Sequence, residues 1–408
     1  MFEHYDIAIV GGGLAGGSLA LALRDSGYRV ALVEAFSDEQ RRVSPSGDRA
    51  LALSYGTVCL LKSMGLWQGM AQNCAAIREI HISDRGHFAK ARLSARKEGV
   101  DALGYVITAR PLEDHIASSL ENSNVFRICP ARLTGFQAGP DWDCLTLDKA
   151  GEVLSLSARL VVGADGIHSA VRRFLDIAQE VRDYQQTAIV TQVRPDIDPD
   201  GLAFERFTAF GPLAMLPTLE SSCAVVWTQK NDIAKRLITL DDKGFLNCLQ
   251  DAFGFRLGRL DLKTERVQFP LKLVRAKKMV GHRSVLIGNT VHQLHPVAGQ
   301  GFNLGMRDVA LLAEMIRDDS RNGRDPGAEA LLKRYAAARS RDHEILVRFT
   351  DGVVRMFSND WIPLAGARGL GLFGLDRCYP VKHLLTRHAM GLGGRMPRFG
   401  VQSDNLHE

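Results

Sequence analysis

The stretch from Tyr5 to Glu34 limits what this chain can fold into more than any other. Tyr5-Asp6-Ile7-Ala8-Ile9-Val10 is a short apolar run of the kind that forms a buried parallel strand. Gly11-Gly12-Gly13-Leu14-Ala15-Gly16 follows at once and fits G-x-G-x-x-G. A helical pattern continues through Leu19, Leu21 and Leu23 toward Gly27, which is suited to end the helix. A second strand, Val30 to Val33, leads into Glu34. An acid roughly 20 residues beyond the glycines, in a strand–turn–helix–strand unit, is the context of dinucleotide binding. Gly11 permits the tight turn, Gly13 lets a pyrophosphate approach the backbone, and Gly16 brings helix against sheet. Glu34 can accept hydrogen bonds from ribose hydroxyls, and its charge disfavours a 2′-phosphate at the same place. The glycine pattern alone is weak. Gly369-Leu370-Gly371-Leu372-Phe373-Gly374 fits it too, but with no strand before it and no acid after it, and reads as a helix-packing or loop segment.

Two more strand-to-loop junctions follow. Residues 159–172 read as strand, turn and helix start, and contain D-G-x-x-S-x-x-R from Asp165 to Arg172. Asp165-Gly166 is a turn signal and Ser169 a candidate helix N-cap. Residues 288–305 read as a strand end, a compact loop and a helix beginning near Asn303. Glycine and proline concentrate there, as suits a backbone lying against a flat ligand. A helix starting beside such a ligand aims its free N–H groups and positive dipole end at it.

Together, the junctions at residues 11–16, 163–172 and 288–303 resemble those of the FAD-dependent aromatic hydroxylases, the p-hydroxybenzoate-hydroxylase-like flavoprotein monooxygenases. The resemblance covers nearly the whole chain. Gly288-Asn289 with Leu294-His295-Pro296-Val297-Ala298-Gly299-Gln300-Gly301-Phe302-Asn303-Leu304-Gly305 is similar to the ubiquinone-biosynthesis branch. Residues 48–54 and 364–372 resemble the members of that branch that act on 2-polyprenyl-6-methoxyphenol; sister enzymes hydroxylate other ring carbons. Asn289 departs from the family's usual Asp, but its amide oxygen can still accept from a ribityl hydroxyl.

The resemblance implies an α/β architecture: a Rossmann-like FAD-binding domain, a mixed antiparallel-sheet substrate domain and a C-terminal helical extension. FAD is then expected against Gly11, Gly13, Leu14, Ala15, Gly16 and Glu34, with Arg49 and Arg110 around the pyrophosphate. Leu133 is expected to offer backbone to the adenosine half, and Asp165 and Asn289 to meet the ribityl region. Pro296, Gly299, Gln300, Gly301, Phe302 and Asn303 should line the flavin ring. On residue type, Arg49 and Arg110 equally suit solvated surface positions, and Asp165 a plain turn. His295 beside Pro296 is the tempting acid–base residue, or a residue that shapes the loop. The implied chemistry is reduction of the flavin by NAD(P)H or another donor, addition of O2 to give a C4a-hydroperoxide, and attack on it by an electron-rich phenol ring. No second convincing Rossmann fingerprint serves a nicotinamide, which fits transient docking or a different donor. A flavin dehydrogenase or reductase acting on a lipid, and a non-catalytic FAD-stabilised scaffold, are the other readings.

A chain of 408 residues can bury a large core. Its formal net charge of +5 does not point to nucleic acid. Seven cysteines occur with no C-x-x-C pair, which argues against a zinc site and suits a reducing cytosol. No secretory signal and no apolar run long enough to span a bilayer is apparent, so a cytoplasmic protein is expected, either free or peripheral on the inner membrane face. Residues 1–75, 105–180 and 275–335 are expected to form the FAD-binding domain, 76–104 and 181–274 the substrate domain, and 336–408 the helical extension. Leu346, Phe349, Val353 and Phe357 fall on one helical face of that extension. Its basic residues Arg368, Arg377, Lys382, Arg387, Arg395 and Arg398 lie among apolar ones. They suit an anionic membrane surface or another quinone-pathway protein, or a helix packed on the FAD domain.

Overall fold

The computed structural model describes residues 3–85, 90–296, 299–357, 377–393 and 396–397. Val297, Ala298, the side chains of Phe349, Val353 and Phe357, the segment 364–374, and Arg368, Arg395 and Arg398 lie outside the described residues.

The chain opens with β1 (Glu3–Val10), α1 (Leu14–Leu23), β2 (Val30–Val33) and the short α2 (Asp38–Arg42). It then forms β3 (Ala50–Ser54), α3 (Tyr55–Ser63) and β4 (Ala75–Ile77). An excursion through β5 (Glu79–Asp84), β6 (Lys90–Ser94) and α4 (Ala95–Glu98) ends with β7 (Gly104–Thr108), which pairs with both β3 and β4. Helix α5 (Ala109–Glu121), strands β8 (Phe126–Ile128), β9 (Arg132–Gln137), β10 (Asp143–Lys149) and β11 (Glu152–Gly163), and α6 (Ala170–Phe174) follow.

The next stretch holds the long β12 (Gln179–Pro195), then β13 (Leu202–Thr208), β14 (Gly211–Thr218) and β15 (Ser222–Lys230). Helices α7 (Asn231–Thr239) and α8 (Asp242–Phe253) precede β16 (Leu260–Leu262) and β17 (Val267–Ala276). The chain returns through β18 (Val280–Gly281), β19 (Ser284–Leu286) and β20 (His292–Gln293). It continues in α9 (Gln300–Arg321), α10 (Glu329–Phe357) and α11 (Tyr379–Ala389).

The first sheet runs β18-β19-β11-β1-β2-β8, with β9 and β10 attached through β11. Its centre is parallel: β1 pairs with both β11 and β2, and β19 with β11. Ile7, Ile9, Leu160 and Val162 are fully buried, as strands covered on both faces require. The second sheet runs β20-β17-β12-β15-β14-β13-β5-β6 and is largely antiparallel, with β13 and β5 as a parallel pair. One of its faces packs on α7 and α8 through Phe204, Val225, Trp227, Phe245 and Phe253. Strand alternation sends the intervening residues to the opposite face.

Several boundaries differ from expectation. Helix α1 stops at Leu23, and Gly27 lies beyond it at φ +81°, closing the turn into β2 instead of capping the helix. Helix α9 begins at Gln300, three residues before Asn303, because Gly299 at φ +59° already turns the chain. Helix α8 is capped by Asp241, whose carboxylate accepts a hydrogen bond from the Gly244 N–H at 2.9 Å.

Candidate active site

The ends of β1 and β2 open on a cleft of about 570 Å³ lined by Gly13, Glu34, Phe36, Gln40, Arg41, Val43, Ser44 and Glu113. The glycines divide into two kinds. A Cβ at Gly11, whose φ is +105°, would lie 2.4 Å from the Ala164 carbonyl oxygen, and one at Gly16 would lie 1.9 Å from that of Gly11. These two let chain segments touch. A Cβ at Gly13 would meet nothing within 4 Å, so this position keeps space clear at the mouth of α1. Leu14 is buried in the core, and Ala15 faces Gly288.

The Glu34 carboxylate accepts from the Gly12 N–H at 2.7 Å and the Phe36 N–H at 2.8 Å. Arg41, which no sequence signal marks, lines the cleft and donates to the Gly12 carbonyl at 2.9 Å. Arg110 is tied down: it pairs with Asp48 at 2.8 Å and donates to the carbonyls of Ser44 and Arg42, bracing the loop beside the cleft. Arg49 differs, with an enclosed Nε that meets no acceptor. Leu133 is not among the lining residues; it sits in β9, paired with Leu147, with its side chain in the core.

The second and third junctions interlock. Asp165 accepts through Oδ2 from the N–H groups of Ala170 (2.7 Å) and Val171 (3.2 Å), while its Oδ1 is enclosed and unpartnered. Ser169 caps α6 by accepting from the Arg172 N–H at 2.9 Å. Arg172 reaches across to the Thr290 carbonyl at 3.1 Å, and Gly166 N–H donates to Thr290 Oγ1 at 3.1 Å. Asn289 is exposed beside them. An open helix mouth, a half-buried arginine with an enclosed Nε that lacks an acceptor, and an orphaned carboxylate oxygen at strand ends match the needs of FAD's phosphates and hydroxyls.

Beyond the third junction, Pro296, Gly299, Gln300 and Asn303 form one wall of an apolar cavity of about 210 Å³. Asn303 holds that wall in place. Its Oδ1 accepts from Ser54 N–H (2.9 Å) and Thr57 Oγ1 (2.8 Å), and its Nδ2 donates to the carbonyls of Ala52 and Gly299 (both 2.9 Å). Its side chain is therefore spent on the protein. Gly301 faces open space, and Phe302 packs on the main core. The opposite wall is the face of the second sheet turned away from α7 and α8. Ile82, Glu205, Ala214 and Val226 form one row across four strands, with Ile80, Ala203 and Leu216 beside it. Ala389 of α11 closes one side.

Glu205 is the one ionisable side chain among the described residues lining this cavity. It keeps some accessible surface, yet its Oε1 is enclosed and unpartnered, and burial raises its carboxyl to about 7. The sequence did hold a signal: an acid alternating with Ala203 and Phe207 on one strand face. His295 does not line the cavity. It is fully buried with its ring edge-on to Tyr184 at 5.2 Å, and burial lowers it to about 4, so it is neutral at pH 7.

A buried polar network braces the third junction from behind. The Asp308 carboxylate accepts from Gly288 N–H (3.1 Å), Arg339 Nε (2.7 Å) and His343 Nε2 (2.8 Å). Burial would raise Asp308, but His343 and Arg339 outweigh it and hold the carboxyl below the usual range. Arg339 also pairs with Asp342 at 2.6 Å, and the rings of His292 and His343 meet edge-on at 4.7 Å. His292, Asp308 and His343 are close enough to share a metal, but Asp308 is already engaged by the Arg339 guanidinium. An acid among Leu304, Leu311 and Leu312 on α9 was the overlooked sign.

Comparison with known proteins agrees with this geometry. Residues 4–350 match the FAD binding domain family. A ubiquinone hydroxylase, UbiL, of Rhodospirillum rubrum is 38% identical over 402 residues, spanning 96% of this chain and 92% of the relative. The 3-demethoxyubiquinol 3-hydroxylase of Escherichia coli is 31% identical, over 95% of this chain and 98% of its own. Among solved structures, the p-nitrophenol 4-monooxygenase PnpA of Pseudomonas putida DLL-E4 superposes with a TM-score of 0.80 at 18% identity, over 97% of this chain and 100% of that one.

Proposed function

This chain belongs to the FAD binding domain family and is a flavin-dependent aromatic monooxygenase, and from that premise we propose that its substrate is a polyprenyl-phenol of ubiquinone biosynthesis. The favoured reaction converts a 2-polyprenyl-6-methoxyphenol to the 1,4-benzoquinol. The observation that carries the proposal is the cavity against the wall of Pro296, Gly299 and Gln300, lined chiefly by aliphatic side chains. Such a lining suits a substituted benzene ring with an isoprenoid tail, which gains from leaving water. The names of the relatives support the same substrate class.

We assign FAD's pyrophosphate to the α1 mouth at Gly11, Gly13, Leu14, Ala15 and Gly16, with Arg41 and Arg49 as the nearby cations. Glu34 takes the ribose, and Asp165 Oδ1 and Asn289 the ribityl hydroxyls. The N-terminus of α9 at Gln300, Gly301 and Phe302 takes the ring, with Pro296 and Gly299 beside it. Bound there, FAD supplies the activation of O2, with NAD(P)H or another donor as reductant. The protein's share is to orient the ring, keep water out and manage the phenolic proton.

No described helix is long and apolar enough to cross a membrane. Helix α11 reaches the cavity through Ala389 and exposes the basic Arg387, while Lys382 is buried. Peripheral docking of this end on the inner membrane face, or on another protein of the pathway, would deliver a lipid tail. Deletion of the gene followed by lipid profiling tests the substrate: a polyprenyl-methoxyphenol should accumulate. Purified enzyme given 18O2 should place label in the product. A lipid product free of label would favour a dehydrogenase, and accumulation of another ring intermediate would move the reaction to a different carbon.

A further inference from the structure

We propose that Glu205 is the catalytic base of the cavity, its carboxylate taking the proton of the substrate's phenolic hydroxyl. This rests on the polyprenyl-phenol reading above. The transfer is a simple exchange: the phenol O–H bond breaks, a Glu205 Oε–H bond forms, and the negative charge passes to the phenolate oxygen. The ring carbons ortho and para to that oxygen become richer in electrons, which is what oxygenation of the ring demands.

Three observations converge. Glu205 stands in the middle of the Ile82–Glu205–Ala214–Val226 row, so alternation directs it to the cavity face and not toward α7 and α8. Its Oε1 has no donor within the protein. An enclosed carboxyl oxygen without a partner costs free energy, and a bound ligand's O–H removes that cost. The remaining lining offers no other acid or base: Ser54, Gln300 and Asn303 are the other polar side chains, and the Asn303 amide is already engaged.

The charged groups nearby do not substitute for it. Arg206 alternates to the opposite sheet face, with His81 and Arg92. On its own face the next strand carries Asp84, opposite Phe207. Arg49 flanks β3, His295 packs on Tyr184, and His388 lies beside Ala389 on α11. Burial is the one cause acting on the Glu205 carboxyl, which places it near neutrality, where a general base works best.

The test uses FAD-loaded full-length enzyme with a short-chain 2-alkyl-6-methoxyphenol and its O-methyl ether as probes. Wild type should bind the phenol at least tenfold more tightly than the ether, and its turnover should fall on the acid side of neutrality. Glu205→Gln should lose most of that preference and the acid limb, with turnover down about a hundredfold and with FAD content and flavin reduction unchanged. Glu205→Leu should abolish the preference, and Glu205→Asp should restore part of the acid limb. A purely structural glutamate would behave otherwise, since Glu205→Gln relieves a buried charge and would leave preference and pH profile intact; that result overturns the role of Glu205 alone. Wild-type enzyme that loads FAD yet binds neither probe overturns the substrate reading, and this proposal with it.

Discussion

The two sheets build their halves of the site by different means. At the ends of β1, β11 and β19 the surface proposed for FAD is largely main chain: glycine turns, helix mouths and carboxylates held by backbone N–H groups. The β5–β13–β14–β15 face offers a row of side chains, all aliphatic except one. The first half serves a ligand of fixed shape, so its geometry is over-determined. In the second half each residue can change without moving the backbone. Substitutions in the parallel half should therefore damage folding and FAD binding together. Those in the antiparallel half should alter substrate handling and leave the flavin in place.

The largest effect is expected behind the third junction. Asp308→Leu leaves Arg339 buried with much of its compensation gone and frees the Gly288 N–H. Removing one partner of a buried pair costs about 3–5 kcal/mol. Urea unfolding should show that loss, along with reduced FAD content. Full stability would break the claim that this network holds the parallel half rigid.

A sharper test sets two glycines of one turn against each other. Gly16→Ala forces a Cβ against the Gly11 carbonyl and should cost about 3 kcal/mol, read as a fall in melting temperature with loss of flavin. Gly13→Ala meets no atom and has an ordinary φ of −70°, so the FAD-free protein should melt as before. Its FAD affinity should still fall about tenfold, about 1.4 kcal/mol, because the new methyl enters the space kept for the ligand. Equal effects from the two changes would mean that the glycines serve folding alone.

The same contrast explains what could be read without a structure. The N-terminal unit was legible because glycine, helix and acid occur at spacings that backbone geometry dictates. Even there the helix end differs from the glycine signal: Arg24 caps α1, and Gly27 closes the turn into β2. Asp165 and Ser169 were legible as turn and cap residues, and both make those bonds. Glu205 was marked only by its alternation with apolar residues, because no local rule tells which strand face meets a cavity shared by β3, β5, β13 to β15 and the start of α9. Asp308, Arg339 and His343 come from two helices, and their meeting is a property of packing. Conversely, His295 was conspicuous beside Pro296, yet it turns toward Tyr184.

On the cavity side, Ala214→Phe should fill the space opposite the wall of Pro296, Gly299 and Gln300. Ala214 already faces an apolar void, so stability should change little. We expect kcat/KM for the phenol to drop about a hundredfold, about 2.7 kcal/mol, with unaltered flavin absorbance. Loss of flavin as well would show that the two halves are not separable.

The smallest effect distinguishes the halves by sign. His292 and His295 lie at the third junction, and burial first of all depresses them to about 3 and about 4. An unfolded histidine titrates near about 6.5, so the unfolded chain binds more protons below that value. The stability tied to these residues is present above about pH 6.5 and drains away as pH falls toward 4. Glu205 runs the other way. Its folded value of about 7 exceeds the ordinary glutamate value of 4.5, so the native state holds the extra proton across that window. Its contribution is complete below pH 4.5 and is lost as pH rises through about 7. Each group sets a slope of at most about 1.4 kcal/mol per pH unit. With FAD saturating and no substrate, unfolding midpoints between pH 4.5 and 7 should rise more steeply in Glu205→Gln than in wild type, and less steeply in His295→Gln. Parallel curves for all three proteins would remove the electrostatic distinction between the two halves and leave only the geometric one.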